Sequence, residues 1–213
     1  PPVAFIVGPT TVAFVDDDEI EEVGGVVAEV RAIARPAHEG LEDGEEQAAV
    51  LRHPALPADV IRGDAADNTL YGNNGSDRLF GNGGQDVLVG GTGGDILTGG
   101  AGADIFVFNA QGDFRDQITD FTVGEDFLRF DARALGLGNY FGGLDPARFH
   151  SSSTNTAADA HDRLIFRTTD ATLWFDRDGN GTKHQAILVA DLNDGIALTA
   201  ASIDVFSPTP IIF

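Results

Sequence analysis

From Leu70 onward a large apolar residue recurs every nine positions, at Leu70, Leu79, Leu88, Leu97 and Phe106. An acid or its amide stands two places before each, at Asn68, Asp77, Asp86, Asp95 and Asp104. Set out in nines, the block reads GDAADNTLY, GNNGSDRLF, GNGGQDVLV, GGTGGDILT, GGAGADIFV, and a glycine opens every unit. The tripeptide centred on the apolar place alternates as a strand does, so only that place faces inward. The glycines before it suit a tight turn, because positive φ costs them little. One short turn and one short strand per unit predict a coil with two units per circuit. Units n and n+2 then stack roughly 4.8 Å apart, the usual strand spacing. That stacking pairs Asn68 with Asp86, Asp77 with Asp95, and Asp86 with Asp104. A flexible Gly/Asp-rich linker would have a similar composition, but it has no reason to hold leucine in register with aspartate through the whole block.

Carboxylates stacked that closely repel each other unless a cation lies between them. A cage of carboxylates and turn carbonyls suits a hard, oxygen-seeking ion with six to eight ligands. Calcium fits such a cage better than magnesium, which demands a small, rigid octahedron. The unit pattern G-G-x-G-x-D-x-U-x, with U large and apolar, resembles the calcium nonapeptide of the repeats-in-toxin (RTX) family of secreted bacterial proteins. The resemblance implies Ca2+ as the cofactor, held by Asn68, Asp77, Asp86, Asp95 and Asp104. It further implies that turn carbonyls complete each site, here from Gly72, Asn74, Gly81, Gly83, Gly90, Thr92, Gly93, Gly99, Ala101 and Gly102.

The expected fold is all-β: a parallel β-roll over 61–107, then a C-terminal antiparallel β cap over 108–213. Asp113 is again nine after Asp104, but the turn glycines are gone and the apolar place holds Arg115, so the coil should end near Val107. The following GDFRDQITDF and GEDFLRF resemble the segment that closes the coil in serralysin-type protease C-terminal domains. That resemblance makes Asp113, Asp116 and Asp120 candidates to finish the last calcium sites. Further on, Arg163–Thr168, Ala171–Phe175 and Ala186–Ala190 read as strands of the cap, covering the open end of the coil. Between two of them, DRDGNG (Asp176–Gly181) fits the first six places of a D-x-[DN]-x-[DN]-G calcium loop. Its twelfth place is Ile187 rather than Glu, which favours a plain hairpin turn. Residues 1–60 form an acidic segment, with strands at Val3–Val7 and Val12–Val15 and a stretch of helical or strand character between Ile20 and Val30. A linker with a short helix at Glu45–Leu51 follows, and the segment could act as an assembly arm.

Composition supports a calcium-dependent life outside the cell. Lys and Arg number 13 against 34 Asp and Glu, a formal charge of −21 that disfavours nucleic acid and anionic membranes as partners. The chain has no cysteine, so neither disulfides nor thiolates hold it. No apolar run is long enough to span a membrane as a helix. RTX proteins leave Gram-negative cells through a type I exporter that reads an uncleaved C-terminal signal, and Asp204 to Phe213 (DVFSPTPIIF) has the expected acid-then-apolar ending.

Catalytic signatures are lacking. HEGLE puts Glu42 where a second zinc histidine would stand in H-E-x-x-H, and there is neither a G-x-S-x-G elbow nor a P-loop. His150 beside Ser151, Ser152 and Ser153, His161-Asp162 and His184 read as polar surface turns, and Trp174 reads as core. The sequence therefore predicts a secreted, non-enzymatic, calcium-binding structural protein whose folding is driven by extracellular calcium, with self-assembly into a homo-oligomer or filament as a further expectation. The alternative is the C-terminal export and folding module of a larger secreted enzyme, such as a protease, lipase or alginate epimerase.

Overall fold

The structure is a computed structural model and describes residues 29–31, 49–52, 58–138 and 141–207. Its strands in chain order are β1 (Glu29–Arg31), β2 (Ala49–Arg52), β3 (Val60–Arg62), β4 (Asn68–Gly75), β5 (Arg78–Gly83), β6 (Val87–Gly93), β7 (Ile96–Ala101) and β8 (Ile105–Phe108). There follow β9 (Asp116–Ile118), β10 (Phe127–Asp131), β11 (Gly142–Gly143), β12 (Phe149–Ser152), β13 (Leu164–Arg167), β14 (Thr172–Phe175), β15 (Ile187–Asp191) and β16 (Ile203–Phe206).

The nine-residue period sends alternate strands to two sheets. One runs β1-β3-β5-β7-β9-β15-β14-β13-β12, the other β11-β16-β10-β8-β6-β4-β2. Within the repeats the pairing is parallel and in register, with Leu70 opposite Leu88 and Leu79 opposite Leu97. Each circuit therefore lays its apolar place directly on that of the circuit below. Ile61, Leu70, Leu79, Leu88, Leu97, Phe106, Ile118 and Leu128 are all fully buried between the sheets. This parallel β-roll is the fold that the period predicts.

The roll is longer than the period shows. Asp116-Gln117-Ile118 and Asp126-Phe127-Leu128 repeat the acid-x-apolar tripeptide, with β9 parallel to β7 and β10 parallel to β8. Their acids stand 21 and 22 residues after their partners instead of 18, so longer turns hide them from a search at period nine. Parallel pairing thus continues past Val107, where the sequence places the end of the coil.

The three cap strands expected from the sequence form, and β13, β14 and β15 pair antiparallel. They do not lie across the open end of the coil. Instead β15 pairs parallel with β9, and β16 pairs parallel with β10, so both sheets simply continue. In-plane pairing satisfies the bare N–H and C=O edges of β9 and β10, which a lid laid across them would leave open. The interior widens here and fills with aromatic rings: Phe108 stacks on Phe130 at 5.1 Å, and Phe114 sits edge-on to both Phe108 and Phe175 at 6.2 and 5.8 Å.

At the other end, Ala49–Arg52 is a strand parallel to β4, where the sequence suggested a helix over Glu45–Leu51. The exposed edge of β4 offers a ladder of hydrogen bonds that outweighs a short helix's weak propensity. Glu29–Arg31 is likewise a strand, parallel to β3. The expected strands at Val3–Val7 and Val12–Val15, and His38-Glu39, lie outside the described residues. Among the described residues no helix is long and apolar enough to cross a membrane.

If the leucine stack is the core of the roll, Leu88→Ala should cost ~2–5 kcal/mol in calcium-saturated protein. Val123→Ala, at a side chain 41% exposed, should stay within about 0.5 kcal/mol. Denaturant midpoints of the two variants compare them directly, and equal costs would show that the stack is not the core.

Candidate metal centre

Each repeat acid sits where its turn enters its strand, and the backbone ties it to the acid one circuit on. The N–H of Asp59 donates to Oδ1 of Asp77 at 2.7 Å, and that of Asp77 to Oδ1 of Asp95 at 2.8 Å. Asp95 continues this column to Asp116 at 2.9 Å. On the other edge of the roll, Asn68 donates to Asp86 at 2.7 Å, Asp86 to Asp104 at 2.9 Å, and Asp104 to Asp126 at 2.9 Å. The structure thus contains all three acid pairs that the sequence stacks. Every member of both columns is at most 3% exposed.

The second oxygen of each central acid is treated differently. Oδ2 of Asp77, Asp86, Asp95 and Asp104 is buried and has no hydrogen-bond partner. A buried carboxylate oxygen left bare is costly, so burial pushes these carboxyls upward: Asp77 and Asp104 to about 7, Asp86 and Asp95 to about 6. Asp116 is pushed by burial to about 8.

Each bare oxygen lies against the glycine that opens its own unit. A methyl group on Gly72 would collide with Asp77 Oδ2 and the Gly90 carbonyl; one on Gly81 would collide with Asp86 Oδ2 and the Gly99 carbonyl. Gly90 and Gly99 lie equally close to Asp95 Oδ2 and Asp104 Oδ2, and Gly63 to Asn68 Oδ1 and the Gly81 carbonyl. Side-chain and carbonyl oxygens from successive circuits therefore crowd the same spot with no hydrogen to share. Among the described residues no three acidic or histidine side chains gather at one point. An ion held here would draw most of its ligands from backbone carbonyls, which is the donor chemistry of calcium.

The remaining predicted positions fall around these turns. Asn74 accepts a hydrogen bond from the Thr92 hydroxyl at 2.6 Å across the rung that pairs them. The Ala101 carbonyl accepts from the Gly84 N–H at 3.0 Å, and the Gly83 N–H donates to the Asp64 carbonyl at 3.2 Å. Gly93 and Gly102 take positive φ, and any side chain there would strike the Gly75 and Gly84 carbonyls. Asp113 is buried, accepts from the Asn109 N–H at 2.8 Å, and lies near enough to Asp95 and Asp116 to raise both. Asp120 uses both oxygens on backbone, from Gly99 N–H at 2.9 Å and Gly100 N–H at 2.8 Å.

Two column members were missed in the sequence. Asp59 stands nine before Asn68 with Ile61 in the apolar place, so the period itself could have found it. Asp126 falls outside the period and is recognisable only by its acid-x-apolar tripeptide.

The other candidates lie apart from the columns. His150 and Ser151 lie on β12, and His161 sits 3.5 Å from Asp159 on the surface. Trp174, expected in the core, is only partly buried. Its ring lies 5.0 Å from the Arg167 guanidinium and its N–H donates to Thr172 Oγ1. Alternation puts it on the outer face of β14, opposite the buried Leu173 and Phe175. DRDGNG forms a hydrogen-bonded turn between β14 and β15: the Asp178 N–H donates to Asp176 Oδ1 and the Lys183 N–H to Asp178 Oδ2.

A family profile described as the RTX calcium-binding nonapeptide repeat (4 copies) matches residues 58–88 and 80–114. The chain carries RTX calcium-binding repeats. The bare oxygens and carbonyls above are thus those of RTX turns, and Ca2+ is the ion that such repeats bind. The solution structure of the AlgE6R3 subunit from the Azotobacter vinelandii mannuronan C5-epimerase is similar at 25% identity. It spans 80% of this chain and 85% of its own, with a TM-score of 0.44. No curated protein matches the chain.

The glycines give a direct test. Gly81→Ala should weaken calcium binding by at least about tenfold, because the added methyl displaces Asp86 Oδ2 or the Gly99 carbonyl. Gly143→Ala, with open space around it, should leave the calcium titration unchanged. Matching titrations for the two variants would remove the crowded turn from the site.

The raised carboxyls set the pH dependence. Each has a folded value above its unfolded value of 3.8. Its contribution to the metal-free fold is therefore complete below about pH 4 and disappears as pH rises through about 6 to 7. Calcium must displace these protons, so affinity should rise about tenfold per site between pH 6 and pH 8 for a group near 7. Calorimetry in buffers of different ionisation enthalpy should detect proton release at pH 6 that fades by pH 8; equal release at both would contradict the assignment.

Proposed function

We propose that this chain is a secreted structural protein whose folding is gated by calcium: open where calcium is scarce, closed once outside the cell. The observation that carries this reading is the set of four bare oxygens, on Asp77, Asp86, Asp95 and Asp104, buried in a fold that leaves them no hydrogen-bond donor. Without metal, the roll at neutral pH must either bury those charges bare or protonate them against their ordinary preference, and both weaken it. An ion that binds only the folded form adds RT ln(1 + [L]/Kd) per site, ~1.4 kcal/mol at millimolar calcium and a Kd near 10⁻⁴ M. Four such sites contribute roughly 6 kcal/mol, about the whole stability of a small domain.

Residues 61–107 supply the calcium-dependent roll in this reading, residues 108–213 the end that closes it, and residues 1–60 the acidic arm. Asp77, Asp86, Asp95 and Asp104, with Asn68, are the side-chain ligands; the turn carbonyls from Gly72 to Gly102 complete the shells, and Asp113 and Asp116 face the last site of their column. RTX repeats are typical of proteins secreted by Gram-negative bacteria, which supports a type I exporter as the route. In the folded chain Asp204 lies within β16, between β10 and β11, and its carboxylate holds the Arg129 guanidinium at 2.8 Å. An exporter that reads this tail therefore reads it before the sheet forms, which fits a chain kept open by low calcium. The strongly acidic composition also favours an extended chain before calcium is met.

Adding calcium to chelated protein should raise β-type circular dichroism over a narrow, cooperative range. Native mass measured on the same samples reports ions bound and copies assembled. A spectrum insensitive to calcium would sink the gate, and a strictly monomeric mass at all calcium levels would remove self-assembly while leaving the gate in place.

A further inference from the structure

The acids of the roll divide by what their second oxygen meets. On Asp77, Asp86, Asp95 and Asp104 it meets nothing. On Asp126, Oδ1 continues the column by accepting from Asp104, while Oδ2 accepts from the Thr122 N–H at 2.7 Å. Asp120 gives one oxygen to each of two consecutive N–H groups, on Gly99 and Gly100.

The first circuit shows what those N–H groups have lost. Gly63 opens its unit as Gly99 does, two circuits earlier in the same column, and its N–H donates to the Phe80 carbonyl of the next circuit at 2.7 Å. At Gly99 the next circuit is the irregular segment after Ile118, and the acceptor is a side chain. The Asp120 carboxylate replaces a missing backbone carbonyl, with a stronger, charge-assisted bond.

Resting on the calcium reading above, we propose that Asp120 and Asp126 are terminators rather than ligands. Their carboxylates end the edge of the roll that carries Asn68, Asp86 and Asp104 by taking N–H donors, so the last circuit on that edge closes without an ion of its own at these acids. That edge thereby stops at a fixed length: a further turn of the same kind would need a bare oxygen to start from, and these two have none. Both residues act through the turns they hold and are positioning residues for the calcium site at Asp104.

The test uses the full chain at saturating calcium. In wild-type protein, NMR should detect through-hydrogen-bond coupling from the Gly99 and Gly100 amides to the Asp120 carboxyl carbon, and from the Thr122 amide to that of Asp126. Native mass should give Asp120→Asn and Asp126→Asn the wild-type number of ions, whereas Asp104→Asn should lose at least one. Amide exchange at Gly99 and Gly100 should quicken about tenfold or more in Asp120→Asn. Absent couplings in the calcium-loaded wild type, or a missing ion in either terminator variant, would overturn the proposal. The couplings need no variant to fold. Wild-type protein that binds no calcium would instead refute the calcium reading itself.

Discussion

One buried carboxylate, satisfied on one side and bare on the other, governs this molecule. Through Oδ1 each repeat acid is a piece of the fold, because it closes the backbone of the circuit before it. Through Oδ2 it is a debt that the polypeptide cannot settle, since the turn beside it offers only carbonyl oxygens. The same residue thus ties the coil together and makes it depend on something outside the chain. An apolar residue at that place would leave the neighbouring N–H unpaired, and an asparagine would remove the charge that draws a cation. Asn68, at the start of its column, is the one amide in the series, and it is bonded to the Asp64 N–H and side chain.

The bareness of Oδ2 follows from the glycines rather than from the acids. Any side chain at Gly72, Gly81, Gly90 or Gly99 would occupy the space into which Oδ2 points. Glycine is usually explained by its backbone freedom, and Gly93 and Gly102 at positive φ are of that kind. The unit-opening glycines are different, because no positive φ is needed there. Their missing Cβ is what lets oxygens from two circuits approach each other. Conformational glycines shape the turn, and steric ones leave room for the crowded oxygens.

What the sequence made legible was whatever kept strict time. Leu70 to Phe106 revealed the core, and Asp77 to Asp104 the columns, because equal spacing forces equal environments in a coil. Asp116 and Asp126 continue the two columns but arrive three and four residues late, after longer turns, so periodicity could not reach them; their acid-x-apolar tripeptides were too short a signal to stand alone. Strands β13 to β15 were readable from their alternation, yet not their place. Which edge a strand joins depends on which backbone groups are otherwise unpaired, and that is a property of the assembled sheet. The helix suggested at Glu45–Leu51 failed for the same reason, since local propensity is weak beside an open parallel edge at β4.

The two ends of the roll are also held by different physics, and the direction of that difference bears on mechanism. Toward β2 and β3 the interior is one aliphatic side chain wide, and a core so thin leaves little surplus over chain entropy. Toward β10 and β14 it contains buried aromatic rings in two groups: Phe106 against Phe121, and Phe130, Phe108, Phe114 and Phe175 in a chain of ring contacts. Aromatic contacts of that kind need no ion, whereas the bare carboxylate oxygens of Asp77, Asp86, Asp95 and Asp104 all lie in the repeat circuits. Asp120 and Asp126 lie at the boundary, where carboxylates change from leaving Oδ2 bare to accepting N–H groups on both oxygens. A chain built this way keeps its aromatic cohesion C-terminal to the repeats, so the repeats have little to close upon until that segment has been made.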